Sequence, residues 1–213
     1  MKILNLYACL GGNRYKWDEV ADIEVTAVEW DEELAKLYQE RFPNDKVVVA
    51  DAHQYLLDHY KEFDFIWSSP PCPTHSRSRF ARRSTTFAKY PDMKLYQEII
   101  FLDKFFKGKY VVENVIPYYE PLIIAHKRGR HLYWSNFLLP NKLSDRKSPN
   151  MENIRGYELW NDFHNFDFGK YKGKQNRIQI ARNLVDYQAG KTILETALGI
   201  IRNTNTKQIT IFD

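Results

Sequence analysis

Phe65-Ile66-Trp67-Ser68-Ser69-Pro70-Pro71-Cys72-Pro73-Thr74-His75-Ser76 runs from an apolar stretch into two prolines and then directly to a cysteine. The prolines lack N–H donors and have a fixed φ, so they end a strand and stiffen the turn that follows. A thiol on a rigid turn at a strand's carboxyl end is placed for chemistry. Burial as a small apolar side chain is the ordinary fate of an isolated cysteine. The polar, basic sequence after Cys72 argues against that fate.

The same punctuation recurs along the chain. Residues 2–8 read as a first strand, followed by Gly11-Gly12 and a polar helical stretch from about Arg14. Residues 23–28 read as a second strand ending at Glu29. Asp31 is suited to cap the next helix, in which Leu34, Leu37 and Tyr38 share a face. Residues 47–49 form a third strand ending near Asp51, and residues 63–67 a fourth ending at the prolines. A helix over 93–106 precedes a strand over 110–112, which ends at Glu113-Asn114, and residues 193–201 read as a late helix. Strands alternating with helices predict an α/β, doubly wound, mostly parallel sheet of Rossmann-like type. Such sheets bind ligands at the carboxyl ends of their strands. Gly11, Glu29, Asp51, Cys72 and Glu113 thereby gather on one rim. From about 138 to 176 the alternation dissolves into a polar, aromatic stretch that reads as a small irregular insertion.

At 213 residues the chain suits one α/β domain with a small appendage. No apolar run reaches the ~20 residues of a membrane span, and the first apolar run is too short for a signal peptide. The two cysteines allow at most one disulfide and lack metal-ligand spacing, so a cytoplasmic protein without a metal is expected. The net charge of +4 is modest, but its distribution is uneven. Basic residues crowd the stretch after Cys72, the stretch 127–130 and the stretch 170–177. A solvated surface would explain any one of them. Three together, one beside a candidate nucleophile, favour a polyanionic partner.

Asn5 to Gly12 forms a tight strand-to-helix loop where backbone can approach a ligand. Glu29 is placed to accept from ribose hydroxyls, Trp30 offers a flat face to an adenine ring, and Asp51 can accept from its amino group. Glu29 or Asp51 alone reads as a solvated acid; the set suggests a nucleoside cofactor. Nothing matches a phosphate-cradling Walker loop. Glu113 ends an apolar strand, where burial favours a proton donor. The plainer reading is a buried acid paired with a base, and Arg128-Gly129-Arg130 offers one or a grip on phosphate or a carbonyl.

In this order the motifs resemble those of DNA (cytosine-5)-methyltransferases, most nearly the short forms common in phages and prophages, over roughly residues 3–200. The resemblance rests on Asn5 to Gly12, Glu29-Trp30, Asp51, Pro70-Pro71-Cys72, Glu113-Asn114-Val115, Arg128-Gly129-Arg130, and Arg182-Asn183-Leu184-Val185 with Gly190. Cys9 replaces a usual Gly, Pro73 a common Gln, and Arg182 a Gly. The resemblance implies S-adenosyl-L-methionine (AdoMet) held by Tyr7, Ala8, Gly11, Gly12, Glu29, Trp30, Asp51, Ala52, Pro70, Asn183 and Val185. It implies Cys72 as nucleophile toward cytosine carbon 6, Glu113 as donor to ring N3, Arg130 on the carbonyl O2 and Arg128 in support. Double-stranded DNA with a flipped-out base is the implied substrate, gripped by Ser76, Arg77, Arg79, Phe80, Arg82, Arg83, Lys172 and Lys174, in a restriction-modification or phage setting. Residues 1–137 and 177–201 would form the catalytic domain, 138–176 a target-recognition insertion and 202–213 a tail.

That tail ends Gln208-Ile209-Thr210-Ile211-Phe212. It resembles the pentapeptide that binds the bacterial sliding clamp, with Gln208, Ile211 and Phe212 as the contacts; an edge strand would suit the alternation equally. Three rival functions stay open: an RNA cytosine methyltransferase, a catalytically silent DNA-binding scaffold, and a thiol hydrolase using Cys72 and His75. The last lacks any further orienting residue.

Overall fold

The structure, a computed structural model, describes residues 1–77, 90–149 and 157–200. Seven strands form one sheet: β1 Lys2–Leu6, β2 Glu24–Glu29, β3 Lys46–Val49, β4 Phe65–Ser68, β5 Lys109–Val115, β6 His126–Arg128 and β7 His131–Ser135, in the order β3-β2-β1-β4-β5-β7-β6. The first five strands run parallel, and β7 pairs antiparallel with both β5 and β6. Among the described residues six α-helices accompany them: α1 Glu32–Arg41, α2 Ala52–His59, α3 Lys94–Phe105, α4 Glu158–His164, α5 Arg177–Asn183 and α6 Tyr187–Ala197.

The strands alternate as buried strands must. Leu4, Ile66, Tyr110 and Val112 face Leu56 of α2 and Leu95, Ile99 and Leu102 of α3. Ile3, Phe65, Trp67 and Val111 face Trp17 and the α6 residues Ile193 and Leu194. Both faces are covered, which makes the sheet doubly wound. Helix starts follow local chemistry. The Asp31 carboxylate accepts from the backbone N–H groups of Glu33 and Leu34, Asp51 accepts from Gln54, and Asp186 accepts from Gln188.

Several boundaries differ from the sequence reading. β1 stops at Leu6 because Tyr7 turns into the left-handed region at φ 57°. β4 is Phe65–Ser68, two residues beyond the expected start. β5 runs to Val115, so Glu113 and Asn114 lie within the strand and not after it; β7 lies alongside and takes up its hydrogen bonds. The late helix is Tyr187–Ala197, set by its Asp186 cap. The stretch after Gly12 is a kinked 3-10 segment, Asn13–Glu19. The β6–β7 hairpin was not expected, because His126-Lys127-Arg128 carries no apolar alternation.

The irregular stretch does not stand apart. Trp160, Phe168 and Tyr171 share one apolar cluster with Leu10 of the first loop and Leu34 and Leu37 of α1. Tyr171 Oη and Gln175 Nε2 both donate to Asp31 Oδ2, at 3.0 and 2.7 Å.

Candidate active site

The loop after β1 is tightly wound. Tyr7, Cys9 and Gly11 have φ of 57°, 49° and 65°, and the Gly11 N–H donates to the Ala8 carbonyl at 2.8 Å. Left-handed backbone at Tyr and Cys costs about 1–3 kcal/mol each and persists only where neighbours enforce it. Glu29 is one enforcer. Its carboxylate is buried and accepts from the backbone N–H of Cys9 at 2.8 Å and from those of Trp30 and Asp31 at 3.0 Å. Burial pushes the Glu29 carboxyl upward, against the pull of those three bonds. A Cβ at Gly11 would meet the Phe42 ring at 2.4 Å, and one at Gly12 would meet the Val185 carbonyl at 2.5 Å. The late Asn183–Val185 motif is thus brought against the first loop. Asn183 is exposed and Val185 buried, as are Ala8 and Ala52. Trp30 is 67% exposed at the end of β2. The Asp51 side chain is 60% exposed, 3.7 Å from Lys94 Nζ. Its pKa is lowered, first by the Gln54 N–H.

The Pro-Pro-Cys turn is tied to the neighbouring strand. Asn114 is buried and its Nδ2 donates to the Pro70 carbonyl at 3.0 Å. Cys72 is a free, half-buried thiol whose carbonyl accepts from the backbone N–H groups of His75 and Ser76. Burial, and then the charge of Glu113, push the Cys72 thiol up to about 11. Cys9 is also free, and burial raises its pKa. Glu113 is buried, with His131 Nδ1 3.5 Å from its carboxylate. Beside this pair lies a cavity of about 360 Å³ lined by Arg128, Arg130, His131, Lys142, Arg146 and Trp160, among others. The two arginines differ. Arg128 spends its guanidinium on the Leu139, Pro140 and Lys127 carbonyls, whereas Arg130 is exposed at the cavity.

A family model for C-5 cytosine-specific DNA methylases matches residues 1–118. The chain belongs to that family. Family membership supports methyl transfer with AdoMet as cofactor. No curated protein matches the chain. Among solved structures, the chain is similar to an Entamoeba histolytica methyltransferase, EhMeth, at 9% identity and a TM-score of 0.53, over 95% of this chain and 99% of that one. It is also similar to a Spodoptera frugiperda DNMT2 mutant at 20% identity and a TM-score of 0.45, covering 73% of this chain and 56% of that chain. The first of these likenesses shows the fold.

The residues at this end of the rim suit a nucleoside cofactor. A carboxylate has about four acceptor sites; Glu29 keeps one beyond its three backbone donors. Trp30 presents a free indole face and Asp51 an accessible carboxylate. Of the expected DNA contacts, Ser76 bridges to Pro117, and Arg77 Nε donates to the Pro117 carbonyl at 2.9 Å. Lys172 donates its backbone N–H to Glu33 at the start of α1, and Lys174 is exposed; neither lines the basic cavity. Arg79, Phe80, Arg82, Arg83, Gln208, Ile211 and Phe212 lie outside the described residues. Two residues were missed. His131 gave no sequence signal. Glu98 gave one: it falls on the apolar face of α3 with Leu95, Ile99 and Leu102, where a charge is out of place. Among the described residues there is no cluster of metal-binding side chains, and no helix is long and apolar enough to cross a membrane.

Proposed function

We propose that this chain transfers a methyl group from AdoMet to carbon 5 of a flipped-out cytosine in DNA, through a covalent adduct of Cys72. The observation that carries the reading is the Asn114 to Pro70 hydrogen bond, which joins the Pro-Pro-Cys turn to the strand bearing Glu113. Cys72, on the turn beyond β4, and Glu113, on the adjacent parallel β5, are thereby tied together as the candidate nucleophile and acid.

Carbon 5 of cytosine is a weak nucleophile, and thiolate addition at carbon 6 makes it enamine-like. A soft nucleophile that also leaves readily is required, which selects Cys. The Cys72 thiol gives up its proton to solvent, and the thiolate Sγ bonds to carbon 6 while Glu113 gives a proton to ring N3. Arg130, exposed at the cavity, binds the carbonyl O2 and meets the charge that develops there. Arg128 supports it indirectly by fixing the 139–140 backbone against the hairpin. AdoMet, when bound by Glu29, Trp30 and Asp51, supplies an electrophilic methyl group. Loss of the carbon 5 proton and expulsion of the Cys72 thiolate then restore the aromatic ring. The basic cavity, with Arg77 and the lysines of 170–174, attracts the phosphate backbone, and the 138–176 stretch contributes to target choice.

The tail adds a tether. Gln208, Ile211 and Phe212 dock on the sliding clamp and raise the local DNA concentration. Deleting residues 207–213 abolishes clamp capture and spares methylation of short duplexes.

The deciding experiment incubates the protein with methyl-labelled AdoMet and mixed genomic DNA and analyses nucleosides by mass spectrometry. Labelled 5-methylcytosine is the expected product. A folded, AdoMet-binding protein that labels tRNA and not DNA overturns the substrate, and one that labels neither overturns the activity.

A further inference from the structure

Glu98 lies on α3 with 0% of its surface exposed, on a helix face otherwise lined by Leu95, Ile99 and Leu102. A buried carboxylate is costly unless its oxygens are bonded. Here the partners come from three separate segments. Tyr7 Oη donates to Oε1 at 2.6 Å, His53 Nδ1 lies 2.9 Å from the same oxygen, and Ser68 Oγ donates to Oε2 at 2.6 Å. Bonds of 2.5–2.7 Å from hydroxyl to carboxylate are the charge-assisted kind, roughly twice as strong as neutral ones.

Each partner stands beside a residue of the active site. Tyr7 begins the loop that carries Gly11. His53 follows Asp51 by two positions on the first turn of α2. Ser68 is the last residue of β4, ahead of Pro70-Pro71-Cys72. Packing alone does not call for an acid at this place, since a leucine would extend the apolar face of α3 without any desolvation cost. Burial and the Glu98 charge also hold the Tyr7 phenol protonated, which keeps it a donor in this network.

We propose that Glu98 is a positioning residue that holds the cofactor loop, the Asp51 turn and the nucleophile strand in one frame and so sets the affinity for AdoMet. This rests on the methyltransferase reading above. Glu98 itself takes no part in the chemistry.

The test uses the full chain and AdoMet titrated calorimetrically in the cold, alongside thermal unfolding. Glu98→Leu fills the same space but strands the Tyr7 and Ser68 hydroxyls, so it lowers thermal stability and, in the folded protein, also weakens AdoMet binding about tenfold or more. Glu98→Gln keeps an acceptor for Tyr7 and an amide partner for Ser68, and stays within about threefold of wild type. Ser68→Ala removes a single donor, and gives a smaller weakening should Glu98→Leu fail to fold. A merely structural Glu98 gives lower stability with unchanged AdoMet affinity in every folded variant, and that result overturns the inference. A wild-type protein that does not bind AdoMet removes the methyltransferase reading and this inference together. Wild type that binds, with variants that bind equally, removes the inference alone.

Discussion

Glu29 and Glu113 are both buried carboxylates at the rim of one sheet, on β2 and β5, and they are held in opposite ways. Glu29 is bonded to three backbone N–H groups at 2.8–3.0 Å. It ties the loop after β1 to the end of β2, and the left-handed Cys9 depends on it. Glu113 has His131 Nδ1 at 3.5 Å, a long contact, and that histidine lines a basic cavity. Around it, Cys72 is a neutral thiol at neutral pH. On the proposed reading, the cofactor half of the rim is bound up in its own scaffold, and the nucleophile half keeps Cys72 and Glu113 for a substrate. Affinity for AdoMet should follow the first half, and turnover the second.

Cys72→Ser tests that division most severely. It leaves Glu29, Trp30 and Asp51 untouched, so AdoMet binding persists, while methylation falls about a thousandfold or more. Loss of AdoMet binding in a folded Cys72→Ser protein would show that the halves are not separable. Glu113→Gln behaves alike, with a loss of about 10²–10⁴-fold in turnover and unchanged cofactor affinity.

The free thiol gives a second, pH-based measurement. With its pKa pushed up to about 11, Cys72 is protonated below that pH, and its thiolate fraction grows with each unit of alkalinity. Its alkylation by iodoacetamide, followed by peptide mass spectrometry, should rise about a thousandfold between pH 7 and pH 10. A rate that levels off near pH 8 would mean an ordinary or activated thiol, and a nucleophile half prepared before substrate arrives.

Part of this contrast is legible in the sequence. Short apolar runs ending at Gly11, Glu29, Asp51 and Pro70 give the parallel order and the rim, because strand burial and chain punctuation are local properties. What is not legible depends on distant partners. Glu98 stands out in the sequence only as a charge on the apolar face of its helix; its partners Tyr7, His53 and Ser68 converge on it from 91, 45 and 30 positions away. The polar β6 becomes a strand only because β7 offers it an edge. Trp160, Phe168 and Tyr171 read as an appendage, yet their apolar area is covered by Leu10 and α1. The split of Arg128 from Arg130 is also invisible in Arg-Gly-Arg, since it turns on which side chain finds the Leu139 and Pro140 carbonyls.

Asn114→Ala probes the seam between the rim's reactive groups. It strands the buried Pro70 carbonyl, at a cost of about 1–3 kcal/mol in urea unfolding, and it frees the Pro-Pro-Cys turn. Turnover should fall while AdoMet affinity holds. A variant that loses stability but keeps full turnover would mean that the prolines alone fix the turn.

The smallest expected effect lies on the cofactor side. Asp31 caps α1 with one oxygen and takes Tyr171 Oη and Gln175 Nε2 on the other. Burial opposes ionisation there, yet these bonds together lower its pKa. A group whose folded pKa is depressed stabilises the fold above its unfolded pKa and loses that contribution as pH falls through the folded value. Asp31→Ala should therefore cost about 1 kcal/mol at neutral pH, and the difference from wild type should shrink below about pH 4. Because Asp31 follows Glu29 and Trp30 directly, the same variant reports whether the 157–176 stretch braces the cofactor site. A several-fold loss of AdoMet affinity beyond the capping cost would mean that it does. Unchanged affinity would confine Asp31 to ending a loop and starting a helix, and leave the shape of the cofactor side to Glu29 and Glu98.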